Sequence, residues 1–419
     1  MTMKLLIRNG TAIDPHAGSE RRADIAVAQG RIVAVGQAPE GFRADHTLDA
    51  TGLHVCPGLV DLCARVAGSA GEARAAAAGG VTSAVCPPDT DPPLDEPGLV
   101  ERLIVSARGF DGPQLHPLGA LTQGLAGERL SEMAELRAAG CVGFGQGDAP
   151  LRDHRVLQRA LQYAATFDLG VWLRPQDRAL AAGGVAHDGE VASRLGLPGI
   201  PVSAETVAIA SILILARETG ARVHLCRLSS AEGVALVRAA RRDGLAISCD
   251  VAAAHVHLTE MDIGYFDARC NLVPPLRAQR DRDALRAGLA DGTIDAICSD
   301  HIALAADAKE MPFGEAVPGA SAVELLLSLV VKWAREAALT LPAALAAVTA
   351  RPAAAARLAA GSLQPGAPAD LCVFDADAWW RVDDAALQSG GKSTPFQGVE
   401  LPARVRHTLV GGRLVHSAR

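Results

Sequence analysis

The chain has 419 residues and a formal net charge of −7, with 49% hydrophobic and 21% charged residues. That balance excludes a disordered chain, and mild acidity supplies no electrostatic reason to expect nucleic acid as a partner. Aromatic residues, at 3%, are too few for stacking platforms on single strands or sugars.

The first segment reads as short strands at Lys4–Arg8, Asp24–Ala28 and Arg31–Gly36, with Gln29-Gly30 as a hairpin turn between the last two. The far end has the same character at Ala369–Asp375, Ala403–Val410 and Arg413–His416. Two all-β ends around a different middle predict one small β-sandwich domain built from both termini. Its expected boundaries are residues 1–55 plus 365–419. The middle, residues 56–364, alternates. Strand-like runs occur at Leu53–Leu62, Val81–Cys86, Gln114–Leu121, Gly140–Phe144, Gly170–Leu173, Arg222–Leu228, Leu245–Val251 and Ile294–Ser299. Helical stretches such as Leu130–Ala139, Ala231–Arg242 and Ala320–Glu336 separate most of them. Repeated βα units bury a parallel sheet under helices, and eight of them predict an α/β (β/α)8 TIM barrel. In that fold the chemistry gathers at the C-terminal ends of the strands.

Met1–Gly10 has no apolar stretch of the kind a secretory leader needs. The most apolar runs, Thr206–Ala216 and Val323–Val331, fall short of the ~18 residues of a membrane span. Nine cysteines without a CxxC pair fit reduced thiols in a cytoplasm better than a disulfide framework. The expectation is a cytoplasmic protein without a membrane partner.

Motifs at the strand ends carry a specific resemblance. Pro57-Gly58-Leu59-Val60-Asp61-Leu62-Cys63-Ala64-Arg65, Pro88-Asp89-Thr90-Asp91-Pro92-Pro93-Leu94-Asp95, Pro274-Pro275-Leu276-Arg277, Ser299-Asp300-His301, Ala369-Asp370-Leu371 and Lys392-Ser393-Thr394-Pro395-Phe396 follow in order. Together they resemble the dihydroorotase family of the amidohydrolase superfamily. The likeness covers nearly the whole chain. It implies pyrimidine biosynthesis and a site where a metal-bound hydroxide opens or closes a cyclic amide.

Position by position, the same resemblance removes the family's metal ligands. Cys63 and Ala64 stand where it has two strand-one histidines. Gln146 stands at the strand-four ligand position, and Arg174 and Arg227 stand at the histidines of strands five and six. Only the strand-eight acid, Asp300, remains. Arginine offers no lone pair and keeps its proton. At ~4 Å and an effective dielectric of ~20, each guanidinium repels a unit positive charge by ~4 kcal/mol. The expectation is therefore an empty metal centre and no cofactor, with Arg174 and Arg227 turned toward Asp300. Asp300 is the one candidate catalytic group, and Arg65, Asn271 and His301 are candidate substrate-binding residues. Arg65, Arg174, Arg227 and His301 could also form an anion pocket.

Two functions follow from different classes. One is a catalytically inactive homologue, a pseudoenzyme; the resemblance implies a structural, activity-supporting partnership with the aspartate carbamoyltransferase catalytic chain, and homo-oligomers. The alternative is a working dihydroorotase or other cyclic-amide hydrolase with an atypical, possibly metal-free site. Two further signals read as structural. His255-Val256-His257 would put both rings on one face of a strand, and Gly390-Gly391-Lys392-Ser393 lacks the helix that a phosphate loop needs.

Overall fold

The computed structural model describes residues 4–149, 151 and 153–418; residues 1–3, where the stretch read for a leader begins, lie outside them. An eight-stranded parallel sheet runs in chain order and forms the barrel. Its strands are β1 (Leu59–Asp61), β2 (Val81–Cys86), β3 (Gln114–Ala120), β4 (Gly143–Gly145), β5 (Gly170–Leu173), β6 (Arg222–Leu225), β7 (Ile247–Ala252) and β8 (Ala296–Cys298). The principal helix after each strand is α1 (Ala70–Ala78), α2 (Pro97–Ala107), α3 (Met133–Ala139), α4 (His154–Thr166), α5 (Val202–Thr219), α6 (Ala231–Arg242), α7 (Gln279–Ala290) and α8 (Leu326–Glu336).

Local sequence explains these elements. In α6, Ser230 caps the first turn by accepting from the Gly233 amide, and Val234, Val237 and Ala240 bury one face at helical spacing. Arg241 and Arg242 then occupy the last turn, where the helix dipole favours cations. Inward residues of the strands, including Val60, Leu62, Val85, Leu118, Trp172 and Cys298, fill the barrel.

The barrel closes by a parallel bridge between Ala64 and His301, just beyond β1 and β8. The Arg65 amide donates to the His301 carbonyl at 3.0 Å. One β1 side chain also joins the seam, because Asp61 Oδ1 accepts from the Ser299 amide at 3.0 Å.

The run Leu53–Leu62 is not one strand. It divides at Gly58 into His54–Pro57, which pairs with Leu371–Phe374, and β1, which enters the barrel. A Cβ at Gly58 would lie 2.1 Å from Thr82 Cγ2, so the chain passes too close to β2 for any other residue.

A small parallel pair, Ala186–His187 with Gly199–Ile200, lies in the barrel segment, and both termini build two larger sheets. One has four strands, from Leu5–Arg8, Ile25–Ala28, Arg31–Val35 and His46–Asp49. The other has six and includes Thr11–Asp14, Leu371–Arg381, Glu400–Val410 and Arg413–Ser417. Ile7, Ile25, Val27, Val55, Leu371 and Leu409 share the core between them. Gln29 and Gly30 turn the expected hairpin with φ of 54° and 70°.

His255 and His257 lie on a short helix, Ala253–His257, rather than on a strand. Their Nε2 atoms contact the Pro274 and Leu329 carbonyls at 3.0 and 2.9 Å, which ties loops together. Among the described residues, no helix is long and apolar enough to cross a membrane.

Candidate active site

Three arginines and three aspartates meet at the C-terminal end of the barrel. Arg65 follows β1 and grips Asp89 through Nε and Nη2, at 3.3 and 2.7 Å. Its Nη2 also reaches Asp148 Oδ2 at 2.7 Å, and its Nη1 lies 3.7 Å from Asp300. Arg174, beyond β5, donates to Asp148 Oδ1 at 2.8 Å and to the Asp148 carbonyl at 3.0 Å. Arg227, beyond β6, reaches Asp148 at 2.5 Å and Asp300 at 2.7 Å. Arg227 therefore meets Asp300 as anticipated, while Arg174 turns to Asp148 instead.

The formal charges of these six groups sum to zero, which limits the cost of burying them. Burial pushes the Asp148 carboxyl up, but the Arg227, Arg174 and Arg65 charges outweigh it and hold that group well below the usual carboxylate range.

The other expected positions lie around this network. Cys63 Sγ is 3.4 Å from Asp300 Oδ1. Burial pushes its thiol well above the ordinary range, so at neutral pH Cys63 is a neutral neighbour. Ala64 is buried in the barrel seam. Gln146 turns away from the arginines, and its amide nitrogen donates to Thr122 Oγ1 and the Leu125 carbonyl at 2.9 and 2.8 Å. Asn271 donates to the Phe313 and Ala316 carbonyls at 2.8 and 3.0 Å. His301 is fully buried, with Nδ1 accepting from the Ala322 amide at 3.1 Å and Nε2 facing Glu72 at 2.9 Å. That pairing fixes the proton on Nε2. Asn271 and His301 are thus committed to backbone and to Glu72, and only Arg65 and Asp300 join the arginine network.

Deeper in the barrel, His224, Cys226 and Asp250 bring one nitrogen, one sulfur and one oxygen within 4.8 Å of one another. His224 and Cys226 are two apart and face inward from β6 and its end, while Asp250 faces inward from β7. Neighbouring strands lie ~4.8 Å apart, so inward residues at this register meet. His224 Nε2 is 2.8 Å from Asp250 Oδ2, and its Nδ1 is 2.8 Å from Ser248 Oγ. The Trp172 ring lies over the imidazole at 4.1 Å between centroids. Asp250 Oδ1 accepts the Arg227 amide at 2.7 Å.

Residues 52–233 match the model of the Dihydro-orotase-like family, and residues 191–415 match that of the Amidohydrolase family. A "Dihydroorotase-like protein" of Pseudomonas putida is 45% identical over 99% of both chains. One from Pseudomonas aeruginosa is 44% identical over 99% of this chain and all of its own. A protein named "Dihydroorotase" from Anaeromyxobacter sp. is 38% identical over 99% of this chain and 98% of its own. The chain belongs to the dihydroorotase-like family of amidohydrolases. Among solved structures, the L-hydantoinase of Arthrobacter aurescens superposes with a TM-score of 0.88 at 24% identity, covering 99% of this chain and 96% of that one. That likeness establishes the shared fold.

For this dihydroorotase-like chain, the His224–Cys226–Asp250 trio corrects three linked expectations. These were that its metal ligands are lost and it serves as an inactive partner subunit, that it is more a pseudoenzyme than a hydrolase, and that it takes no metal. A set of three N, S and O donors suits zinc, whose catalytic sites keep three protein ligands and one open position. Ser248 would orient the histidine from behind. Burial, reinforced by Asp250, pushes the Cys226 thiol well above its ordinary range, so Cys226 must give up a proton to bind. Arg174 and Arg227 do not face one carboxylate alone, because Asp89 and Asp148 join Asp300 in balancing the arginine charge.

Proposed function

We propose that this chain is a cyclic-amide hydrolase of the dihydroorotase type that works from an atypical site. The observation that carries this reading is the inward-facing trio of His224, Cys226 and Asp250 beneath an arginine-lined mouth. A divalent metal held there would polarise the amide carbonyl and activate a water. The chain's own residues would do the rest. Arg65 would orient an anionic substrate. Asp300 would accept the proton of the attacking water, with Arg227 holding its carboxylate in place.

The test is elemental analysis of the purified chain together with dihydroorotate ring opening, measured with and without added zinc. About one zinc per chain and a turnover lost in His224→Asn and Cys226→Ser would support the reading. Turnover without bound metal would favour the metal-free form of the same activity. No turnover with zinc bound and dihydroorotate saturating would overturn it.

We also propose, from the resemblance, that the aspartate carbamoyltransferase catalytic chain is its partner, that it forms homo-oligomers and that it works in the cytoplasm. All nine cysteines are free, which agrees with a reducing compartment. Size-exclusion with light scattering tests the assembly. A single heavier peak containing both chains would support it, and two unshifted peaks would overturn it.

A further inference from the structure

Asp148 has an unusual position. One carboxylate receives three guanidinium groups, from Arg65 at 2.7 Å, Arg174 at 2.8 Å and Arg227 at 2.5 Å. Those arginine side chains are 19%, 9% and 3% exposed, whereas Asp148 is 34% exposed, the most accessible of the three aspartates. It directly follows Gly147, whose φ is 58°. The cradle is also under-used. Arg65 Nη1 and Arg227 Nε are buried and have no hydrogen-bond partner among the described residues. Leaving such donors unmet carries a desolvation cost.

Cavities flank this network on both sides. One of about 610 Å³ is lined by Asp148, Arg174 and Gln176, with Leu157, Leu173 and Ile212 as apolar wall. The other, about 420 Å³, is lined by Arg65, Asp89, Thr90 and Arg102. Asp148 and Arg174 both line the larger cavity, so a ligand entering it meets the cradle from the Arg174 side.

We propose that the Arg65–Arg174–Arg227 cradle is a binding site for a small carboxylate, and that Asp148 is its built-in competitor. The geometry names the ligand class, because a two-oxygen planar acceptor already satisfies guanidinium donors arriving from three strand ends. An incoming carboxylate takes the same donors, and Asp148 rotates into solvent. The exchange leaves the cradle's charge count unchanged, so no buried charge is stranded. The rest of the ligand then occupies the larger cavity against its apolar wall. The cradle shares Arg65 with the hydrolase reading and deepens it, but carboxylate binding requires neither turnover nor a metal, so the two are tested separately.

The experiment is calorimetric titration of the full chain with succinate, with inorganic phosphate as the contrast. Asp148→Ala is expected to bind succinate at least tenfold more tightly than the wild type, and Arg174→Ala in that background to lose the gain. Should Asp148→Ala fail to fold, Asp148→Asn, uncharged and of the same shape, carries the same comparison. Equal succinate affinity in the wild type and the Asp148 variant would overturn the proposal. So would a gain that survives Arg174→Ala, or phosphate binding more tightly than succinate.

Discussion

Arg227 donates from Nη1 to Asp300 Oδ1 at 2.7 Å, and both residues hold left-handed backbone, with φ of 57° and 51°. Such conformations cost roughly 1–3 kcal/mol each for residues with a side chain and persist only where surroundings enforce them. Here they lie just past the ends of β6 and β8, and the pair links two strand ends across the barrel mouth. Asp300→Asn keeps the shape and tolerates the left-handed backbone, but it leaves Arg227 short of a charge partner. Urea denaturation should show a loss of about 3 kcal/mol. Adding Arg227→Met should recover at least half of it, because the stranded charge is then gone.

Glu72 fastens the C-terminal segment to the barrel seam. It accepts from Ser389 Oγ at 2.7 Å and the Gly390 amide at 2.8 Å, and it pairs with His301. Burial would push its carboxyl up, but the bonds from His301, Ser389 and Gly390 prevail and hold it down to about 2. A folded-state value below the unfolded one gives stability that is present above about 4.5 and is lost as pH falls toward 2. Glu72→Gln should cost about 2 kcal/mol at neutral pH and flatten the acid limb of a stability–pH curve. An unchanged acid limb would refute this role for Glu72.

Asp61 behaves in the opposite sense. Burial pushes its carboxyl up to about 6, against the lowering effect of bonds from Ser299 and Cys63. Stability from this group is full below about 3.8 and is lost as pH rises through about 6. The span of about two units corresponds to about 3 kcal/mol. Asp61→Asn keeps an acceptor for the two backbone amides, so the fall between pH 4 and 6 should vanish from its stability curve, measured by urea midpoints across that range.

Zinc should raise the thermal midpoint of the wild type by mass action, since a ligand bound only by the folded state stabilises it. At a hundredfold excess over its dissociation constant the gain is about 2.7 kcal/mol. Cys226→Ser should weaken that response and His224→Asn should abolish it. Scanning calorimetry with and without a chelator reads the effect, and an identical response in all three proteins would place the metal elsewhere.

The barrel was legible because its βα rhythm survives in composition, and Gly170–Leu173 and Ala231–Arg242 have the bounds read from sequence. The split at Gly58 was not, since one apolar run serves two sheets and only the proximity of Thr82 reveals the break. Asp148 escaped notice for a related reason. Gln146 is the first residue past β4, and a left-handed glycine separates it from the acid, so strand alternation no longer says which side chain faces the mouth. His224 and Cys226 stand close in sequence, but Asp250 joins them only through the pairing of β6 with β7, where Leu225 lies opposite Cys249. Lateral strand register is a tertiary property that spacing along one strand does not encode.

The strand His54–Pro57 has its antiparallel partner at Leu371–Phe374, over 300 residues later. As the chain leaves the ribosome, barrel strands meet their neighbours one after another. This early strand, by contrast, waits with one edge open until nearly the whole polypeptide has emerged. Its neighbour Thr11–Asp14 covers the other edge in the meantime. Completion of the terminal sheets is therefore a late event of synthesis. A ribosome stalled shortly before residue 371 would present an apolar edge, from Val55 and Cys56, that chaperones are suited to shield.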